Sequence, residues 1–208
     1  MREARQRLGP LGPTPESQAS RDEAELREKL GRWNVPKQYL DVNWDQAWLP
    51  DGFVAGEWKG DLLRAALRRG KGLLIGGPTG TGKSSLAALI ARETALAGLR
   101  VRWEYVPTMI DTMEFGKAER LAVEERQRTA GLVVWDDFGV DELADWQIGF
   151  IDRIVEQRYG SGRSMIITTN TPFAELKADL RLGRIMSRWR QRNLGLTING
   201  EDRRVFAR

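Results

Sequence analysis

The sequence predicts an α/β protein: a five-stranded, mostly parallel sheet sandwiched by helices. Three observations carry that expectation. Five short apolar runs, at about 71–76, 100–105, 131–136, 163–169 and 194–198, alternate with longer stretches of helical period. Runs this apolar leave no polar face for water, which is the pattern of parallel strands covered on both sides. The first run opens directly into Gly77-Pro78-Thr79-Gly80-Thr81-Gly82-Lys83-Ser84, a complete G-x-x-x-x-G-K-[ST] loop between strand and helix.

Taken in order, residues 1–19 carry arginine, proline and glycine without an apolar period, and are expected to be a disordered basic lead. Residues 20–33 read as an amphipathic helix. Leu26, Leu30 and Trp33 share one face, and Glu23 with Arg27 and Glu25 with Lys29 stand four apart. That helix either packs on its own domain or is a handle for a partner. Residues 34–208 form the main domain, which begins with a tryptophan-bearing loop (Trp44, Trp48) and a helix at about 57–69. Further helices are expected at about 83–97, 107–128, 144–160 and 173–190 between the strands.

The 208 residues contain no Cys and no His. That removes a disulfide framework, zinc sites of the usual ligands, a His general base and a Cys nucleophile. No long apolar stretch is present, so neither a membrane span nor a signal peptide is supported, and the protein is expected in the cytoplasm. The net charge of +4 is concentrated at one end: Arg181, Arg184, Arg188, Arg190 and Arg192 lie between Leu180 and Gly200 with no acidic residue among them, and Arg203, Arg204 and Arg208 follow.

The glycine-rich loop needs its residue types. Glycines let the backbone curl so that N–H groups face phosphate oxygens, Lys83 sets a cation against the β- and γ-phosphates, and Ser84 offers a hydroxyl to Mg²⁺. The candidate nucleotide-binding residues are Gly77, Pro78, Thr79, Gly80, Thr81, Gly82, Lys83 and Ser84, with Ser85 after them. Leu132-Val133-Val134-Trp135 ends in Asp136-Asp137, and strand ends of this kind emerge at the ligand edge of an open α/β sheet. Asp136 is placed to act through Mg²⁺, with Ser84, and Asp137 to take a proton from the attacking water or orient it. Ser164–Asn170 ends in polar residues at the same edge, with Asn170 able to hold a γ-phosphate or the water. ATP and Mg²⁺ are the expected cofactors.

This arrangement resembles the DnaC and IstB-type AAA+ ATPases, helicase loaders and ATPase helpers of transposases. The resemblance rests on Gly77–Ser84, on Val133-Val134-Trp135-Asp136-Asp137-Phe138-Gly139, on Thr168-Thr169-Asn170 and on Ile185-Met186-Ser187-Arg188-Trp189, and spans about residues 33–200. Val35-Pro36-Lys37-Gln38-Tyr39 also looks like that family's approach to the ATPase core. It implies a P-loop NTPase of AAA+ type without a helical lid after the core. It further implies Asp136 as the magnesium-directed acid, Asp137 as the catalytic acid, Asn170 as the sensor and Arg188 as an arginine finger working in trans. Arg184, one turn earlier, competes with Arg188. Tyr39 is expected near adenine, from the resemblance and its position ahead of the first strand.

The implied activity is ATP hydrolysis at subunit interfaces of a homo-oligomer formed on ATP or DNA, in a helicase-loader-like role in DNA replication. The implied partners are a replicative helicase or a transposase, and single- or double-stranded DNA. Lys117, Arg120, Arg126 and Arg128, with Phe115, are candidate DNA-contacting groups. The alternatives are a transposase-regulating helper, a P-loop kinase of small molecules, and a nucleotide-gated scaffold.

Overall fold

Five parallel strands lie in the order β2-β3-β4-β1-β5, where β1 is Leu73–Gly76, β2 Val101–Tyr105, β3 Leu132–Asp136, β4 Ser164–Thr169 and β5 Leu194–Thr197. The computed structural model describes residues 15–47, 49–139 and 143–202. Trp48, most of the expected lead, and Arg203, Arg204 and Arg208 fall outside the described residues, as do the side chains of Arg184 and Arg190.

Alternation along each strand divides the core in two. Leu73, Ile75, Val101, Trp103, Leu132, Val134 and Ile166 face one layer, formed by α1 (Pro15–Arg32), α2 (Gly60–Arg68) and α3 (Lys83–Leu96). Leu74, Val133, Trp135, Met165 and Ile167 face the other, formed by α4 (Val106–Glu114), α5 (Lys117–Thr129), α6 (Asp145–Gly160), α7 (Phe173–Ala178) and α8 (Gly183–Arg192). The three inner strands, β3, β4 and β1, are wholly buried, as their apolar runs require. β2 and β5 are the edge strands and leave Tyr105 and Leu194 exposed.

Three expected elements differ. The stretch 107–128 is two helices, broken where Gly116 takes φ +149°, a conformation that a side-chain-bearing residue rarely adopts. The stretch 173–190 is interrupted at Asp179, whose side chain accepts from the Arg181 backbone N–H at 2.8 Å and caps a single 3-10 turn, Leu180–Leu182. The first helix begins at Pro15, ahead of the expected position 20. It lies on α3 through Leu26 and Leu30, while Glu23 turns from Arg27 to Arg92 and Arg27 pairs with Asp41.

Candidate functional site

A cleft of about 1110 Å³ opens at the carboxyl edge of the sheet, lined by Thr79, Gly80, Gly82, Lys83, Ser84, Ser85, Asp136, Asp137 and Asn170, with Tyr39 and Tyr105 among its further walls. Its floor is the glycine-rich loop between β1 and α3. Gly80 and Gly82 have φ +79° and +98°, which makes glycine the natural residue at both. A Cβ on Gly80 would also lie 1.9 Å from the Asp202 carboxylate, and one on Gly77 2.1 Å from the Ile198 carbonyl oxygen. The loop is therefore shaped from outside by the chain that follows β5. Within it, Thr81 Oγ1 donates to the Pro78 carbonyl at 2.9 Å, and Lys83 Nζ donates to the Gly77 and Pro78 carbonyls at 2.7 and 2.6 Å. Thr81 is fully buried, so it shapes the loop from within.

β3 delivers the two carboxylates into different surroundings. Asp136 is buried and accepts hydrogen bonds from Ser84 Oγ and Thr168 Oγ1, each at 2.6 Å. Burial raises its pKa above the usual aspartate value, against the opposing pull of the Ser84 and Thr168 hydroxyls. Asp137 leaves the strand in a left-handed conformation, φ +61°. Its backbone N–H donates to Thr168 Oγ1 at 2.9 Å. Asn170 Nδ2 donates to one carboxylate oxygen at 2.7 Å and Tyr105 Oη to the other at 3.2 Å. Desolvation, with the Asp137 charge behind it, raises the Tyr105 pKa and keeps that phenol a donor. A non-glycine residue at positive φ, fastened on backbone and both oxygens, marks a position over-determined by its neighbours.

The Ser84 hydroxyl beside the Asp136 carboxylate is a hard, oxygen-only donor pair that suits Mg²⁺, a cation held by one or two protein oxygens together with phosphates and water. Among the described residues no cluster of three or more acidic, His or Cys side chains forms a self-sufficient metal cage.

The structure thus brings together the phosphate loop, Ser85, Asp136, Asp137, Asn170 and Tyr39. Tyr39 closes a single 3-10 turn, Lys37–Tyr39, and its ring lies 5.9 Å from that of Trp103. Arg188 is not among the residues lining this cleft: on α8 it pairs with Asp152, at 3.1 Å, and with Glu156, both on α6. Of the candidate DNA-contacting groups, Arg126 is spent on Glu104 and Arg128 on Glu125, while Arg120 lies 5.5 Å from the Trp146 ring centroid. Tyr105 has no role in the sequence reading, and Thr168 enters it only as part of the Thr168-Thr169-Asn170 motif, with no role of its own. Both stand at carboxyl ends of strands flanking β3, and the rule that selected Asp136 would have selected them had strand order been known.

A model of the IstB-like ATP binding protein family matches residues 65–188. The insertion-sequence ATP-binding protein y4uH of Sinorhizobium fredii is 27% identical over 127 residues, 60% of this chain and 47% of that protein. The ATP-binding protein Rv3427c in insertion sequence of Mycobacterium tuberculosis is 28% identical over 160 residues, 73% of this chain and 61% of that one. This chain therefore spans about half to three fifths of the length of the curated relatives it matches. Among solved structures, the DnaC helicase loader superposes with a TM-score of 0.61 at 27% identity, covering 79% of this chain and 100% of that one. The fold is that of the P-loop AAA+ domains, as the sequence predicts. No helix among the described residues is long and apolar enough to cross a membrane.

Proposed function

The chain belongs to the IstB-like ATP binding protein family, and from that premise we propose that it is a Mg²⁺-dependent ATPase that assembles on DNA to control a protein partner. The observation that carries the ATPase reading is the pairing of Ser84 with Asp136 at 2.6 Å, with Asp137 next in sequence and held by Tyr105 and Asn170. The loop amides and Lys83 hold the phosphates, for which Lys83 exchanges its loop carbonyls. Ser84 and Asp136 hold the metal, which when bound neutralises charge on the phosphates. Asp137 orients the attacking water and takes its proton, while Tyr105 and Asn170 fix the carboxylate's plane. Arg188 serves the site of a neighbouring copy.

Two partner readings each have support. The match to the whole of the solved DnaC helicase loader chain favours a replicative helicase. The family model and the insertion-sequence relatives favour a transposase.

Titration with a fluorescent ATP analogue and phosphate-release assays on Lys83→Ala and Asp137→Asn test the ATPase reading. Lys83→Ala is expected to lose nucleotide affinity, and Asp137→Asn to keep affinity while turnover falls by about 10²-fold or more. Unchanged hydrolysis in Asp137→Asn would remove it from the chemistry. Co-sedimentation with a replicative helicase and with a transposase, each with and without ATP, decides between the partners.

A further inference from the structure

The edge of the sheet opposite the nucleotide cleft is strongly basic. β1 pairs with β4 and β5 from its first residue, Leu73 opposite Ile166 and Leu194, so the loops leading into these three strands are gathered at one place. A Cβ on Gly70 would stand 3.0 Å from the Gly162 backbone, which shows how closely two of them meet. Residues 68–72, 157–164 and 189–193 contain Arg68, Arg69, Lys71, Arg158, Arg163, Arg190 and Arg192 and not one Asp or Glu. Among the described residues, Arg68, Arg69, Lys71, Arg163 and Arg192 have no carboxylate partner. Arg163 and Arg192 donate instead to the carbonyls of Ala130 and Tyr159, at 3.2 and 2.7 Å.

At the centre of this surface is a cavity of about 20 Å³ between α6 and α8, whose wall also includes Arg188, the one lining cation paired with carboxylates, those of Asp152 and Glu156, among the described residues. Arg158 is buried beside it with backbone carbonyls of Gln127, Ala130 and Ser164 as acceptors and no counter-ion. Burial, with Arg163 alongside, lowers its pKa to about 9, so at neutral pH its positive charge persists where water screens it least. Trp189 Nε1, Arg158 Nε and Asn193 Oδ1, buried among the cavity's lining residues, have no hydrogen-bond partner. Two donors and one acceptor match one water bridging to an anion at the mouth, where Arg163 and Arg192 stand.

We infer that this amino-terminal edge is a second anion site, one that takes the phosphodiester backbone of duplex nucleic acid, with one phosphate seated over the Arg158 cavity and its neighbours on the flanking loops. The spread of unpaired cations over three loops suits a polyanion better than a single carboxylate. The Arg192 guanidinium lies 4.1 Å from the Tyr159 ring centroid and covers that ring, and the other aromatic lining the cavity, Trp189, is buried, so among the described lining residues the surface offers charge and no open stacking platform. That composition reads backbone without reading bases, and lacks the aromatic anchor typical of a protein interface. The inference does not rest on the ATPase reading.

The test is fluorescence anisotropy of a labelled duplex against the full chain over a range of salt. The first variant is Arg68→Ala/Arg69→Ala/Lys71→Ala, whose side chains have no ion-pair partner to lose among the described residues; the second is Arg163→Ala/Arg192→Ala. Each is expected to weaken binding at least tenfold at low salt and to flatten the slope of log affinity against log salt by about 0.9 per lost phosphate contact. Affinity for a fluorescent ATP analogue, read on the same samples, is expected to stay unchanged, which separates this site from the nucleotide cleft. Duplex binding that is equal in wild type and both variants overturns the inference, as does the absence of salt-sensitive duplex binding by wild type. Poly-glutamate binding that falls in the variants while duplex binding does not would also overturn it, and would assign the edge to an acidic protein.

Discussion

Asp136 is 8% exposed, and in the proposed mechanism its carboxyl is nonetheless the group that must be charged for Mg²⁺ to bind beside Ser84. Burial outweighs the two hydroxyl donors and raises its pKa. A carboxyl whose folded pKa lies above its unfolded value of about 3.9 disfavours the folded state when ionised. The empty protein therefore gains stability as pH falls through the raised pKa towards the unfolded one, while Mg²⁺-dependent nucleotide affinity is lost over the same window. Asp136→Asn removes the charge and keeps an oxygen to accept from Ser84 and Thr168. We expect it to raise the melting temperature of the nucleotide-free protein by a few degrees, on the order of 1 kcal/mol, and to abolish the Mg²⁺ dependence of ATP binding. A lower melting temperature would mean that the charged carboxylate is holding the site together. The carboxylate pair was legible because it ends an apolar run. Its neighbours were not: Tyr105 meets Asp137 only because β2 and β3 are adjacent, a fact of strand order that one-dimensional pattern does not carry.

At the level of elements, α1 is the piece whose role the sequence left open, because an amphipathic stripe reads the same whether it faces its own domain or a partner. The structure places Leu26 and Leu30 in the core shared with α3, Arg92 grips Glu23 through two hydrogen bonds at 2.8 and 2.6 Å, and the Trp33 carbonyl accepts from the Trp103 backbone N–H at 3.0 Å. Leu30 is 1% exposed. Leu30→Ala is thus expected to cost about 2–5 kcal/mol, seen as a lower urea midpoint with an unchanged slope. A midpoint within experimental error of wild type would return α1 to the status of a handle. Strand positions were readable to within one or two residues because burial on both faces forces continuous apolar runs. The helical layer over the second face was read less well. Its breaks at Gly116 and Asp179 are local turn chemistry inside stretches whose apolar period runs on across the break.

For the whole molecule the decisive question is where Arg188 acts. Its resemblance to a finger residue follows from the Ser187-Arg188-Trp189 run, yet in the single chain it is held by Asp152 and Glu156 on α6 and does not line the cleft that contains Lys83 and Asp137. Under the proposed function, a cation so placed would serve a γ-phosphate on another copy. Its pairs are partly exposed, so their loss is worth at most about 1 kcal/mol. Arg188→Ala is therefore expected to fold and bind ATP normally, to lose most hydrolysis, and to lose the rise of activity per subunit with concentration that an assembling ATPase must show. A mixing experiment isolates the geometry. Arg188→Ala chains keep an intact site and lack the finger; Lys83→Ala chains keep the finger and lack the site. Each alone is inactive, and together they pair a working site with a working finger on its neighbour. Recovery of ATPase activity on mixing places Arg188 in trans. Two inactive variants that stay inactive when mixed, although they co-assemble by sedimentation, would confine Arg188 to the packing of α8 on α6.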